Sequence, residues 1–190
     1  MTESVATEDT TADRRAAMAA IFASESSFRT FYERALPRIY GYLFDRCGGD
    51  PAVAEELTQQ AFVAAVRQRV RFDGRADPLT WLTAIARHKL ADHFRRLDKD
   101  ERRHIRLVGR EVTVDPQSRA LNRMDEREAI LGVLAGLPAL QRAVLLLHYA
   151  DALSIRELAH QLGKSESAIE SLMTRAREAF RRGYGEGFDV

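Results

Sequence analysis

The chain has 190 residues, 45% of them hydrophobic and 30% charged, with a formal net charge of +1; this balance fits a globular protein and excludes a disordered polyelectrolyte. A single cysteine, Cys47, excludes an internal disulfide or a cysteine zinc site. No apolar run approaches the length of a membrane span, and the N-terminus MTESVATEDTTADRR has no signal-peptide core, so the expectation is a cytoplasmic protein with no membrane insertion.

Nearly every segment repeats its apolar residues at helical spacing, and none alternates as a strand does. The predicted fold class is all-α: two small helical domains joined by a flexible linker, the C-terminal one a helix-turn-helix. Residues 1–24, rich in Thr, Ala, Ser and acids, read as a mobile tail with a transient helix over Arg14 to Phe22. The first domain takes residues 25–97. Phe28 to Cys47 reads as a helix, interrupted or bent near Pro37, which lacks a hydrogen-bond donor. Gly48-Gly49 is a turn. Asp50-Pro51 is a cap followed by proline at the first helical position, opening a helix to about Arg69. Arg71 to Ala76 is a loop. Asp77-Pro78 repeats the cap-proline start and opens a helix to about Leu97. Residues 98–121, charged and broken by Gly109 and Asp115-Pro116, read as the linker, with a helical start. The second domain takes residues 122–183, with helices from about Asn122 to Ala135 and from Pro138 to about Tyr149 ahead of the helix-turn-helix. Residues 184–190 are a C-terminal tail.

Three stretches carry chemistry. In the helix after Asp50, the residues Glu55, Glu56, Gln59 and Gln60 stand at spacings that gather them into one polar patch, and Phe62 and Val66 continue its edge. Such a patch is either an ordinary solvated face, with acids near the positive helix N-terminus, or a protein-docking surface. In the helix after Asp77, Leu82, Ile85, Ala86, Leu90 and Phe94 make the buried stripe, while Thr83, Arg87, His88, Arg95 and Arg96 lie largely away from it. A basic face preceded by a loop with Arg71, Phe72 and Arg75 can grip a DNA backbone and accept an unstacked base. Trp81 serves there either as a stacking platform or as core. His88 and His93 are five apart, a poor spacing for a helical metal pair, so no metal site is expected.

The third stretch, Ser154 to Arg182, reads as a helix-turn-helix. Ser154 and Glu157 have the spacing of a capping box. Leu158, Ala159 and Leu162 give the first helix an apolar face, Gly163 suits a left-handed exit, and Ser165 caps a second helix that packs through Ile169 and Leu172. A helix held in this way can lie in a major groove and read base edges. Residues 28–97 carry twelve basic and eight acidic side chains, and residues 1–27 two and five. Phosphate neutralisation drives sequence-independent affinity, so a chain this weakly basic is expected to bind DNA poorly by itself.

AEELTQQAFVAAV, WLTAIARHKLADHFRR and LPALQRAVLLLHYADALSIRELAHQLGKSESAIESLMTRAREAFRR, in this order and spacing, resemble the extracytoplasmic-function (ECF) class of bacterial RNA polymerase sigma factors, in the sigma-70 superfamily. The likeness covers about Phe28 to Arg96 and Asn122 to Arg182. It implies that Glu55, Glu56, Leu57, Gln59, Gln60 and Phe62 dock on the largest subunit of core RNA polymerase. It implies that the loop from Phe72 to Asp77, with Asp73, Gly74 and Arg75, and the helix carrying Trp81, Arg87, His88, Arg95 and Arg96 bind and open the minus-ten promoter element. Opening would capture a flipped base, whose unstacking costs a few kcal/mol that pocket and backbone contacts must offset. The helix starting at Ser165 would read the minus-thirty-five element, through Glu166, Ser167, Glu170, Ser171, Thr174 and Arg175, while Arg142, Arg156 and Lys164 hold the backbone. The linker would thread through the polymerase toward the RNA exit path. Further implied partners are the second-largest polymerase subunit, promoter DNA and an anti-sigma factor.

Two residues depart from the family pattern. His88 stands where members more often have Asn, and Glu170 where many have Lys; a glutamate near DNA lowers phosphate affinity but can accept from cytosine N4. The alternative is a stand-alone helix-turn-helix transcriptional regulator. Such proteins usually dimerise or carry a ligand domain, and the N-terminal domain has no dimer heptad or ligand-pocket pattern. No Ser-His-Asp, Cys-His, phosphate-loop or metal pattern appears in the sequence, so neither an enzyme nor a cofactor is expected.

Overall fold

In the computed structural model, which describes residues 2–108 and 126–184, every regular element is helical. The order is α1 (Thr2–Ile21), α2 (Glu25–Arg46), α3 (Pro51–Gln68), one 3-10 turn (Arg69–Arg71), α4 (Pro78–Val108), α5 (Glu126–Ala135), α6 (Ala139–Leu145), a π-turn (Leu146–Ala150), α7 (Ile155–Leu162) and α8 (Glu166–Tyr184). The chain forms two compact units that divide between Leu90 and Ala91, inside α4. No helix among the described residues is long and apolar enough to cross a membrane.

In the first unit the starts of α2, α3 and α4 each have a local cause. Ser24 Oγ accepts the Ser27 N–H at 3.1 Å and begins α2. Asp50 accepts the Ala52 and Val53 N–H groups at 2.9 and 3.2 Å, with Pro51 at the first helical position of α3. Asp77 does the same for the Leu79 and Thr80 N–H groups ahead of α4. Ile39 and Leu43 of α2, Ala54, Leu57 and Ala61 of α3, and Leu82, Ala86 and Leu90 of α4 are buried as its core. Each large aliphatic side chain withdrawn from water here contributes roughly 1.5–3 kcal/mol. That packing explains a difference from expectation: α2 is not interrupted at Pro37 but continues through it as one helix. The imide loses one hydrogen bond, while Ala35, Ile39 and Leu43 remain buried on both sides of it.

The segment read as a mobile tail is also different: residues 2–21 are helix α1. Its anchors are tertiary. Met18 is buried, the Phe22 ring lies 5.3 Å from Phe28, and the Arg69 guanidinium sits 5.6 Å from the Phe22 ring centre.

The second unit begins within α4, which does not end at Leu97 but runs to Val108. An Asp98–Arg102 ion pair at 3.1 Å spans one turn of this extension. Residues 109–121 of the expected linker, residues 122–125 and residues 185–190 lie outside the described residues. Pro138 precedes α6 without a side-chain cap. The missing acceptor comes from α4, where the Glu101 carboxylate accepts the Ala139 N–H at 3.1 and 3.2 Å. The core joins Leu140, Val144 and Leu147 to Leu158 and Leu162 of α7 and Ile169, Met173, Ala176 and Phe180 of α8.

Candidate functional site

The polar patch of α3 is real as a surface but narrower than the expected set. Glu55, Glu56 and Gln59 are exposed and Gln60 is half-buried, with its amide donating to Glu56 at 2.7 Å. Leu57 and Phe62 do not join them. Leu57 is fully buried, and Phe62 is buried with its ring 4.7 Å from Tyr32. Both hold the helix in place, Leu57 with no exposed surface and Phe62 with very little. The residue that does extend the surface is Val63, 49% exposed. It stands four residues after Gln59, one helical turn further along the same face, and that spacing was the available signal.

In the loop before α4, the side chains of Asp73 and Arg75 are exposed and form an ion pair at 3.3 Å. Phe72 is buried, its ring edge-on to Trp81 at 5.5 Å, and Trp81 itself is half-buried. Trp81 therefore sits between the two readings, as the wall on which Phe72 rests with part of its surface still open. Gly74 is buried at φ +79°, a left-handed backbone that suits only glycine without strain. The loop closes on Asp77. The Thr80 hydroxyl, then the Thr80 and Leu79 N–H groups, hold the Asp77 carboxyl below the usual carboxylate range against the opposing effect of partial burial. Along α4, His88 is exposed and Arg87 half-buried with an Nε that has no hydrogen-bond partner. Arg95 and Arg96, in the part of α4 that belongs to the second unit, are exposed, and Arg95 pairs with Asp92 one turn back.

The helix-turn-helix forms as its spacing predicts. Ser154 and Glu157 make both hydrogen bonds of a capping box, and Gly163 leaves α7 at φ +62°. Ser165 Oγ accepts the Ala168 N–H at 3.3 Å at the start of α8. Ser165, Glu166, Ser167, Glu170, Ser171, Thr174 and Arg175 are all exposed, on the side of α8 away from buried Ile169, Leu172 and Met173. Three of them bond back to the helix: Ser171 to the Ser167 carbonyl at 3.0 Å, Thr174 to the Glu170 carbonyl at 3.1 Å and Arg175 to the Ser171 carbonyl at 3.2 Å. Arg156 is exposed and Lys164 half-buried. Arg142 is placed differently from a surface phosphate ligand: it is half-buried, with its guanidinium 5.4 Å from the Phe94 ring centre. A residue outside the expected set, Arg177, donates to the exposed Tyr149 hydroxyl at 2.9 Å.

The chain carries the family described as "Sigma-70 region 2" over residues 31–100 and "Sigma-70, region 4" over residues 127–180. It is 35% identical over 130 residues to the ECF RNA polymerase sigma factor SigC of Mycobacterium tuberculosis, covering 68% of this chain and 69% of that protein. The chain belongs to the ECF class of sigma-70 sigma factors. Other relatives include the ECF RNA polymerase sigma factor BldN of Streptomyces coelicolor, 32% identical over 160 residues, which are 82% of this chain but only 60% of that longer protein. SigK of Mycolicibacterium vanbaalenii is 29% identical over 164 residues, 84% of this chain and 82% of that one. Among solved structures, the sigma factor RpoE from Bartonella quintana, crystallised with the anti-sigma factor NepR, has a TM-score of 0.53 and 20% identity, covering 85% of this chain and 98% of that one; it shows the shared fold. As a sigma factor the chain directs RNA polymerase to promoters, and it is not an enzyme. Helix α1 precedes both matched regions.

Proposed function

We propose that this sigma factor divides its work among three surfaces. The exposed face of α3, formed by Glu55, Glu56, Gln59, Gln60 and Val63, docks on the largest subunit of core RNA polymerase. The loop from Phe72 to Asp77, with Trp81, Arg87, His88, Arg95 and Arg96 of α4, contacts and opens the minus-ten element. The outer face of α8, Ser165 to Arg175, reads the minus-thirty-five element, with Arg156 and Lys164 on the backbone. Leu57 and Phe62 act from the core by fixing α3. Arg142 would meet phosphate from its place beside Phe94.

The observation that carries this reading is the outer face of α8. Seven polar residues stand exposed on one side of a helix whose other side is buried and whose entry turn is fixed by Gly163 and Ser165. Such a helix offers a major groove several donors and acceptors without disturbing its own packing. A stand-alone regulator would account for α7 and α8 but not for the region 2 match that precedes them. The protein works in the cytoplasm, with the second-largest polymerase subunit as a further contact. An anti-sigma factor is its counterpart in regulation, as NepR is bound by the Bartonella protein. The test is run-off transcription with purified core polymerase on a genomic fragment library. Discrete start sites that need the chain support the proposal. DNA binding as a free dimer without transcripts refutes it and favours the stand-alone regulator.

A further inference from the structure

The loop read as the minus-ten contact is held by its main chain, and the holder is α1. Arg14 donates from Nη1 to the Arg75 carbonyl at 2.9 Å, and Arg15 donates from Nε to the Asp73 carbonyl at 2.9 Å. Gly74 lies between these two carbonyls. A Cβ on Gly74 would stand 2.6 Å from the Thr11 carbonyl oxygen and 2.9 Å from Arg15 Cγ. The glycine thus serves two needs, a left-handed φ of +79° and a helix pressed against its Cα. Phe72 and Gly74 face inward, whereas the Asp73 and Arg75 side chains remain exposed. The contact with α1 occupies backbone and leaves the loop's outward chemistry untouched. Beyond α1, the loop's own restraints include the Asp73–Arg75 pair and the bond from the Arg75 N–H to Asp73 Oδ1 at 3.1 Å.

We infer that Arg14 and Arg15 are positioning residues for promoter opening: α1 pins the carbonyls of residues 73 and 75 so that the loop meets an unstacked base already shaped to hold it. A short loop left to itself must be ordered when the base arrives, and that ordering subtracts from the affinity for the flipped state. Two guanidinium donors on its carbonyls supply the order beforehand, and charged donors make stronger hydrogen bonds than neutral ones. The inference rests on the minus-ten reading of the loop.

The experiment uses the full chain with core polymerase and a promoter carrying 2-aminopurine in the non-template strand of the minus-ten element, read as the rate of fluorescence increase. The variants are Arg14→Ala with Arg15→Ala, Arg14→Lys with Arg15→Lys, and Gly74→Ala. The double alanine variant is expected to open the promoter about five- to tenfold more slowly, the scale of two partly exposed hydrogen bonds, while binding core polymerase as wild type does. The lysine pair, which keeps a charged donor on each side chain but not the planar guanidinium fork, recovers part of the rate. Gly74→Ala, which pushes the loop off α1 with both arginines present, also slows opening, and its effect and that of the double alanine variant do not add. The slope of log affinity against log salt stays unchanged, because no phosphate contact is lost. Opening at the wild-type rate by the double alanine variant overturns the inference. So does a salt slope that falls by about one per arginine, which makes them direct phosphate ligands. If the double variant loses core binding, Gly74→Ala decides, and opening at the wild-type rate by that variant overturns the inference. A wild-type holoenzyme that transcribes from the promoter without any change in 2-aminopurine fluorescence removes the minus-ten reading, and this inference with it.

Discussion

Replacing Asp77 with Ala tests whether one exposed carboxylate sets the junction between the loop and α4. The side chain accepts the Leu79 and Thr80 N–H groups at 3.0 and 3.1 Å and the Thr80 hydroxyl. Water can reach these donors once the carboxylate is gone, so the loss is that of an N-cap, about 1 kcal/mol, and not that of an orphaned buried group. Asp77→Asn keeps an acceptor and loses only the charge near the helix N-terminus, a smaller effect of about 0.3–1 kcal/mol. The chain has one tryptophan, Trp81, four residues from the cap and in the same unit, so its fluorescence during urea unfolding reports on this region. The pH dependence has a fixed sign. The folded carboxyl lies below the usual range, so the unfolded chain binds the extra proton first as pH falls. The stabilisation is complete above about pH 4, the unfolded value, and disappears as pH drops through the lower folded value. The gap between wild type and Asp77→Ala should therefore be present at neutral pH and shrink in strong acid. A variant as stable as wild type at neutral pH, or a gap unchanged at about pH 2, refutes the reasoning.

Three further outcomes are expected. Replacing Glu55, Glu56 and Gln59 together with Ala should weaken co-purification with core polymerase while leaving the Trp81 unfolding curve in place, and Val63→Ser should act in the same direction; undiminished co-purification removes α3 from the docking surface. Arg175→Ala should reduce transcription by about 1–3 kcal/mol of lost base contact on promoters with the preferred upstream element; equal loss on every upstream sequence points to a phosphate contact instead. Gly163→Ala should destabilise the second unit by about 1–2 kcal/mol through the left-handed backbone alone, since a Cβ there would meet its nearest neighbour, Arg95 Nη1, at an ordinary 3.7 Å; circular dichroism during urea unfolding measures it, and an unchanged midpoint argues against the αL exit.

What could be read from the sequence were the features decided within one helical turn. The capping box at Ser154 and Glu157, the glycine exit at Gly163 and the two Asp-Pro starts depend on neighbours two to four residues away, and all four appear in the structure. Features decided by distant partners were not legible. Helix α1 is alanine-rich with scattered acids, and its anchors are Met18 and two carbonyls some sixty positions further along the chain. Phe62 sits on the border between the two sides of α3, and only the Tyr32 ring shows that it turns inward. Arg142 reads as a surface cation until Phe94 is beside it. The extension of α4 past Leu97 was partly legible, because Asp98 and Arg102 stand one turn apart.

The bond between Glu101 and the Ala139 N–H has a consequence for dissecting this protein. A seven-residue helix such as α6 is too short to persist on its own, and the acceptor at its first turn is borrowed from 38 positions earlier. A fragment cut at Asn122 would carry every residue proposed to read the minus-thirty-five element yet lack that acceptor. Its α6 would begin frayed, and the turn that aims α7 and α8 would inherit the looseness. Fragments intended to hold the second unit in its native form should therefore begin ahead of Ala91, so that the glutamate travels with the helix it completes.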